Sequence, residues 1–127
     1  MRHLLTLCLV LTGLIHLLPV PGVMGADALK SLYGVDLGSA DLMLLMRHRA
    51  VLFGLLGSFL LFAAWRRAWI PVALVAGWIS VVSFLVLEAM GGPHGAAIQR
   101  VVMADWVALA ALCVATVIRW RLGNPDP

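Results

Sequence analysis

Along this chain, long apolar blocks alternate with short polar or helix-breaking interruptions. A helix that crosses a bilayer needs about 20 mainly apolar residues, and four segments meet that requirement. The first covers roughly residues 4–21 and is broken by Pro19, Pro21, Gly22 and Gly25. The second runs from about 41 to 65, with Ser39 or Asp41 able to cap its start. The third covers 70–90, carries Pro71 in its first turn and stops before Gly91-Gly92-Pro93. The fourth covers 97–118 and is followed by Arg119-Trp120-Arg121 and a polar tail, Gly123-Asn124-Pro125-Asp126-Pro127.

The links sharpen the picture. Only Arg66-Arg67-Ala68 joins the second and third blocks, so those two must run in opposite directions, and the link around Gly91–Gly95 is nearly as short. The longest connection, Gly22 to Ala40, contains Ala28-Leu29-Lys30-Ser31-Leu32-Tyr33-Gly34, whose apolar spacing predicts a short helix lying at the membrane interface and closed by Gly34. The expected fold is therefore all-α: a membrane-embedded antiparallel four-helix bundle, one domain over 1–127, with a short interfacial helix between spans one and two. No internal repeat or low-complexity tract is visible.

Composition agrees. Of the 127 residues 63% are hydrophobic and 12% charged, and mean hydropathy is +1.04. Ordinary soluble domains are about 45–50% apolar and about 25% charged, and a small chain has too little interior to hide such an excess. The net charge of +3 comes from cations placed in ones and twos beside apolar runs, the arrangement of membrane-flanking charge rather than of a nucleic-acid surface. No nucleic-acid partner is expected; the bilayer is.

With four spans, one side receives Arg2, Arg66, Arg67, Arg119 and Arg121 against Asp126, a net +4. The other receives Lys30, Arg47, Arg49 and Arg100 against Asp27, Asp36, Asp41, Glu88 and Asp105, a net −1. The positive-inside rule then puts both termini in the cytoplasm, and Trp65, Trp69 and Trp120 fall on that side as interfacial tryptophans do. A competing reading treats the first block as a signal peptide cleaved before Ala26. The length of the apolar stretch, with His16 and Pro19 inside it, favours a retained span. Cys8 and Cys113 lie in apolar runs without metal or redox spacing and read as packing residues.

Ionisable side chains inside spans carry the candidate chemistry, because each costs about 2.5–3.5 kcal/mol at a helix centre. They are His16, Arg47, His48, Arg49, Glu88, Arg100 and Asp105. In an alternating bundle all seven fall in the outer half, which points to an outward-facing polar pocket. Asp105, about two turns into the fourth span, is expected to pair with an arginine. Three arginines against two carboxylates leave +1, a charge suited to an anionic or electron-rich head group such as a lipid phosphate or a quinone carbonyl. The alternative is that these groups pair only with one another and fix helix register.

Three functions fit such a pocket. The first is a binding or accessory module for a small lipophilic or anionic ligand or a membrane partner. The second is a membrane oxidoreductase subunit using quinone, or haem held by His16 and His48. The third is a small transporter or proton path through Glu88 and Asp105. No motif specifies a cofactor or metal, and no hydrolase triad, Walker loop or zinc spacing is present. His94, in a loop, is expected to be solvated. Gly54 with Ser58 and Ala76 with Ser80 are expected to allow close helix packing. Ser80 and Ser83 are expected to bond to their own backbone or a neighbouring helix, and Trp78 and Trp106 to serve as packing or lipid-facing residues.

The stretches His16-Leu-Leu-Pro-Val, Leu32-Tyr33-Gly34-Val35, Leu45-Met46-Arg47-His48-Arg49-Ala50-Val51-Leu52-Phe53-Gly54, Ser80-Val-Val-Ser83-Phe84 and Arg100-Val-Val-Met-Ala-Asp105 resemble a family of short bacterial membrane proteins of unknown function. The resemblance spans nearly the whole chain. It implies a DoxX-like architecture of four spans, with a long loop after the first and a charged motif opening the second, in the bacterial inner membrane. It does not carry over the quinone-linked thiosulfate oxidation associated with DoxX. Proteins of that family often bear the label phosphopantetheine adenylyltransferase. The H-x-G-H-type motif of that soluble enzyme is missing here: the histidines read His3-Leu-Leu-Thr, His16-Leu-Leu-Pro, His48-Arg-Ala-Val and His94-Gly-Ala-Ala.

Overall fold

Five helices follow one another along the chain: α1 (Arg2–Leu17), α2 (Ala26–Tyr33), α3 (Ala40–Trp65), α4 (Ile70–Met90) and α5 (Ala96–Gly123). The computed structural model describes residues 1–123, so Asp126 and the rest of the tail from Asn124 lie outside the described residues. Among the described residues there is no strand.

The boundaries have local causes. α1 stops at Leu17, and Pro19 opens a 3-10 turn over Val20–Met24. α2 ends where Gly34 takes φ 67°, a left-handed conformation natural to glycine, with its N–H bonded to the Lys30 carbonyl. Ser39, not Asp41, caps α3: its side chain accepts from the Leu42 N–H at 3.1 Å. Pro71 sits in the first turn of α4, as expected, and a 3-10 turn over Arg67–Trp69 makes the tight link before it. α5 runs past the expected end at Ile118 and keeps Arg119-Trp120-Arg121 helical. Hydropathy ends there, but nothing in those residue types breaks a helix.

Four segments, Arg2–Met24, Ala40–Trp65, Arg67–Met90 and Ala96–Gly123, are long and apolar enough to cross a membrane. They close into a ring in which α1 packs on α3 and α5, and α4 packs on the same two. The core is narrow. Leu9, Leu60 and Leu112 are fully buried, with Ala63, Ala73 and Ala108 beside them. Only 28–39% of each apolar window is buried inside the protein, so most of the apolar surface faces outward. Leu7, Leu44, Leu55, Ile79, Leu87 and Met103 are each at least 62% exposed. A surface of that kind fits lipid rather than water.

The closest approach joins α1 to α3 at Gly13 and Gly57. A Cβ added at Gly57 would lie 2.8 Å from the Gly13 carbonyl oxygen and 2.9 Å from Leu17. Small residues permit such contacts between apolar helices, but the Gly54–Ser58 pair expected to do so does not lie at this one. Gly54 meets Val20 of the 3-10 turn instead, and Ser58 is exposed. Along the same interface the Thr6 hydroxyl reaches the Ala64 carbonyl at 3.4 Å, and His16 stacks on Phe53 with ring centroids 5.7 Å apart. On the other side Gly77 faces Leu112, and the Trp78 indole N–H donates to Thr116 at 3.0 Å. Trp78 is thus more than the packing residue its sequence position suggests, while Trp106 is 55% exposed.

Candidate functional site

His16 sits across the middle of the ring, 2% exposed. Its Nδ1 lies 2.8 Å from the Thr12 carbonyl, which can only accept, so Nδ1 carries the proton. Nε2, 3.0 Å from Ser80 Oγ, is then the acceptor of the serine hydroxyl. The ring joins α1 to α4 and leaves no nitrogen free. Ser83 extends the link by donating to the Ser80 carbonyl at 3.0 Å. Both serines therefore bond to the backbone or to a neighbouring helix, as expected.

Beyond His16 the ring opens into a cavity of about 250 Å³. Every one of the five helices contributes to it: Ile15 and His16 from α1, Ser31 and Tyr33 from α2, Arg49 and Phe53 from α3, Phe84 from α4, and a strip of α5. That strip is Ala97, Arg100, Val101, Ala104 and Asp105. The spacing of three and four residues is one face of a helix, which is how Arg100 and Asp105 come to share a wall. Arg49 and Phe53 are likewise four apart on α3.

Of the seven residues expected at the site, the structure brings His16, Arg49, Arg100 and Asp105 to the cavity and leaves Arg47, His48 and Glu88 off it. The reason is angular. Successive residues of an α-helix turn by about 100°, so the run Arg47-His48-Arg49 fans out round α3 and only one of the three faces inward. Arg47 is exposed and donates through Nε to the Val23 carbonyl at 2.8 Å, anchoring the 3-10 turn. His48 is exposed and does not reach the cavity that His16 lines. Glu88 lies one turn past Phe84 toward the end of α4 and is half-buried.

Asp105 differs from expectation in another way. It is 8% exposed, yet among the described residues it has no ion pair, the one such pair being Lys30 with Asp36 at 2.9 Å. Among the described residues its carboxylate accepts no hydrogen bond either. The nearest candidate partner is occupied elsewhere. The Arg49 guanidinium lies over two rings, 4.9 Å from the Phe53 centroid and 5.4 Å from that of Tyr33. Cation–π stacking of this kind is worth about 0.5–2 kcal/mol depending on desolvation. It also ties the short helix α2 to α3, so that α2 covers the cavity. With Arg49 and Arg100 against Asp105 the lining carries +1, the sign expected from the larger set, because Arg47 and Glu88 drop out together.

Sequence reasoning missed Tyr33, Phe53 and Phe84 on the cavity wall. The position of Phe53, one turn after Arg49, was the available signal; nothing local marked Tyr33 or Phe84. His94 also departs from the solvated state expected of it. Its Nε2 is buried without a hydrogen-bond partner, against Gly91. Among the described residues no group of three or more His, Cys, Asp or Glu side chains is placed to hold a metal ion.

Comparison of the chain with protein-family models, with curated proteins and with solved structures finds no match. A concave space walled by aromatic and aliphatic side chains, with a few polar groups converging on it, has the character of small-molecule sites generally. Its carboxylate accepts hydrogen bonds, and its two guanidinium groups donate them.

Proposed function

We propose that this protein is a small-molecule binding or accessory module of a cell membrane. In this reading the four long helices form an antiparallel four-span bundle, with α2 at the interface and both termini on the cytoplasmic, arginine-rich side. The architecture would be DoxX-like and the membrane a bacterial inner membrane. The cavity under α2 opens outward and holds a lipophilic molecule with a compact polar head. Arg49 and Arg100 meet an anionic or electron-rich atom of that head, and Asp105 takes a donor such as a hydroxyl or amide N–H.

The observation that supports this most is the unpartnered Asp105. A buried carboxylate that only fixed helix register would be paired or hydrogen-bonded within the protein, because burying it otherwise costs several kcal/mol. Here it borders empty space large enough for a ligand, and the nearby arginine is stacked on rings.

Native mass spectrometry of the protein released from mild detergent tests the reading. The expected result is a specific adduct on the wild type that Asp105→Asn abolishes while the melting temperature holds. A bare polypeptide from wild type and variant alike, with no ligand recovered by solvent extraction of the membranes, would sink it.

A quinone-linked role is the second reading, supported by a carbonyl-binding cation beside stacked aromatic walls. Quinone in the solvent extract, with a difference spectrum on reduction, would establish it. Haem ligation gains no support from the geometry, since both nitrogens of His16 are engaged and His48 is elsewhere. A transport path is disfavoured by the apolar plug of Leu9, Leu60, Ala108 and Leu112; the buried Thr12 hydroxyl nearby is bonded to the Cys8 carbonyl.

A further inference from the structure

A second cavity, of about 730 Å³, opens at the opposite end, between the start of α1, the α3–α4 link and the end of α5. Arg2, Arg67 and Arg119 line it with His3, and among the described residues no carboxylate does. Three separate elements thus aim cations at one space. Among the described residues none of these arginines has a carboxylate partner. Like charges gathered without a counter-charge repel, and an anion between them removes that repulsion.

Two further features say which anion. α1 begins here with no side-chain cap hydrogen bond at Met1, and its first residues Arg2 and His3 line the crevice, so the positive end of its dipole lies beside the same region. The inner wall is apolar: Leu5 and Ile70 are each 5% exposed, and Leu122 and Trp65 flank them. A free inorganic anion has no use for such a wall. An acyl chain has. We propose that this crevice binds the phosphodiester headgroup of an anionic phospholipid, held by Arg2, Arg67 and Arg119, with its glycerol and upper acyl chain against Leu5, Ile70 and Leu122. The inference is independent of the cavity under α2.

The test measures lipid retained by the full chain in native mass spectrometry, with phosphatidylglycerol or phosphatidylcholine added to the detergent. Phosphatidylglycerol is expected to be retained preferentially, and Arg67→Gln and Arg119→Gln each to lower its apparent affinity about fivefold, the effect of one interfacial cation. Lys30→Gln, a neutralised cation at the other end, is expected to leave it unchanged. Melting curves of each variant test that the fold is intact, and Arg2→Gln, at the start of α1, gives a third readout if either of the others fails to fold. Equal retention of the two lipids, or equal loss with Lys30→Gln, would overturn the proposal. So would millimolar inorganic phosphate displacing the lipid completely, because the crevice would then be a simple anion site.

Discussion

Both ends of the helix ring hold arginines, and they use them differently. At the end covered by α2, Arg49 is stacked on Phe53 and Tyr33, Arg47 holds the Val23 carbonyl, and Asp105 faces a cavity without a partner. At the other end Arg2, Arg67 and Arg119 surround a larger opening with no acid among its described lining residues. One end spends cations on holding its own walls in place and leaves a carboxylate free. The other leaves cations free over an apolar floor. The lesson is that charge count alone does not mark a site; what marks it is which charges the protein has left unsatisfied, and beside what surface.

The waist between the ends gives the most severe way to break this comparison. Gly57→Leu drives a side chain into the Gly13 backbone oxygen and Leu17, and overpacking of that kind costs about 1–3 kcal/mol and at times more. Loss of the folded species in detergent melting curves is expected, with both ends lost together. If the variant melts like wild type, α1 and α3 are not held where the two cavities require.

His16→Ala comes next. It removes the partner of the Ser80 hydroxyl inside the ring and empties the space the imidazole fills, while the Thr12 carbonyl keeps its helical bond, a loss of about 1–3 kcal/mol. Equilibrium unfolding should register it, and the cavity under α2 should lose its ligand while the arginine-lined crevice keeps its lipid. Simultaneous loss at both ends would merge what is here kept separate.

Asp105→Asn is expected to change stability little, since the carboxylate gives up only the attraction of the Arg49 charge and, among the described residues, no ion pair or hydrogen bond. A drop of several kcal/mol is the signature of a broken buried ion pair, and seeing one would return Asp105 to a structural role. The smallest effect belongs to Lys30→Gln. The Asp36 carboxylate beside Lys30 raises its pKa, so whatever the pair contributes is present below the ordinary lysine value of 10.5 and fades as pH rises through the raised one. At neutral pH the side chain is fully solvated, and no resolvable change in melting temperature is expected.

Much of this was legible along the chain. The four apolar blocks, Pro71 at the head of α4, Gly34 at the foot of α2 and Ser39 at the start of α3 are local signals, and the backbone obeys them where they stand. The ends of the elements were legible only where a breaker marks them, so α5 outran its hydropathy by one turn and more. Four of the seven suspected site residues reached the cavity. The other three failed for a reason that proximity in sequence conceals: Arg47, His48 and Arg49 are neighbours in the chain but point to three sides of a helix.

The sequence by itself determined how many long apolar helices there are, where they begin, and that ionisable groups lie inside some of those helices. Those properties follow from the solvent each residue type tolerates and from backbone preferences within a single turn. Tertiary structure alone decided that His16 spends both nitrogens on Thr12 and Ser80, that Gly13 meets Gly57, and that Arg49 lies over Tyr33 and Phe53 and not against Asp105. Each of those outcomes depends on the rotation of one helix about its axis relative to another. That rotation is fixed by how many side chains pack at once, and no local run of residues contains it.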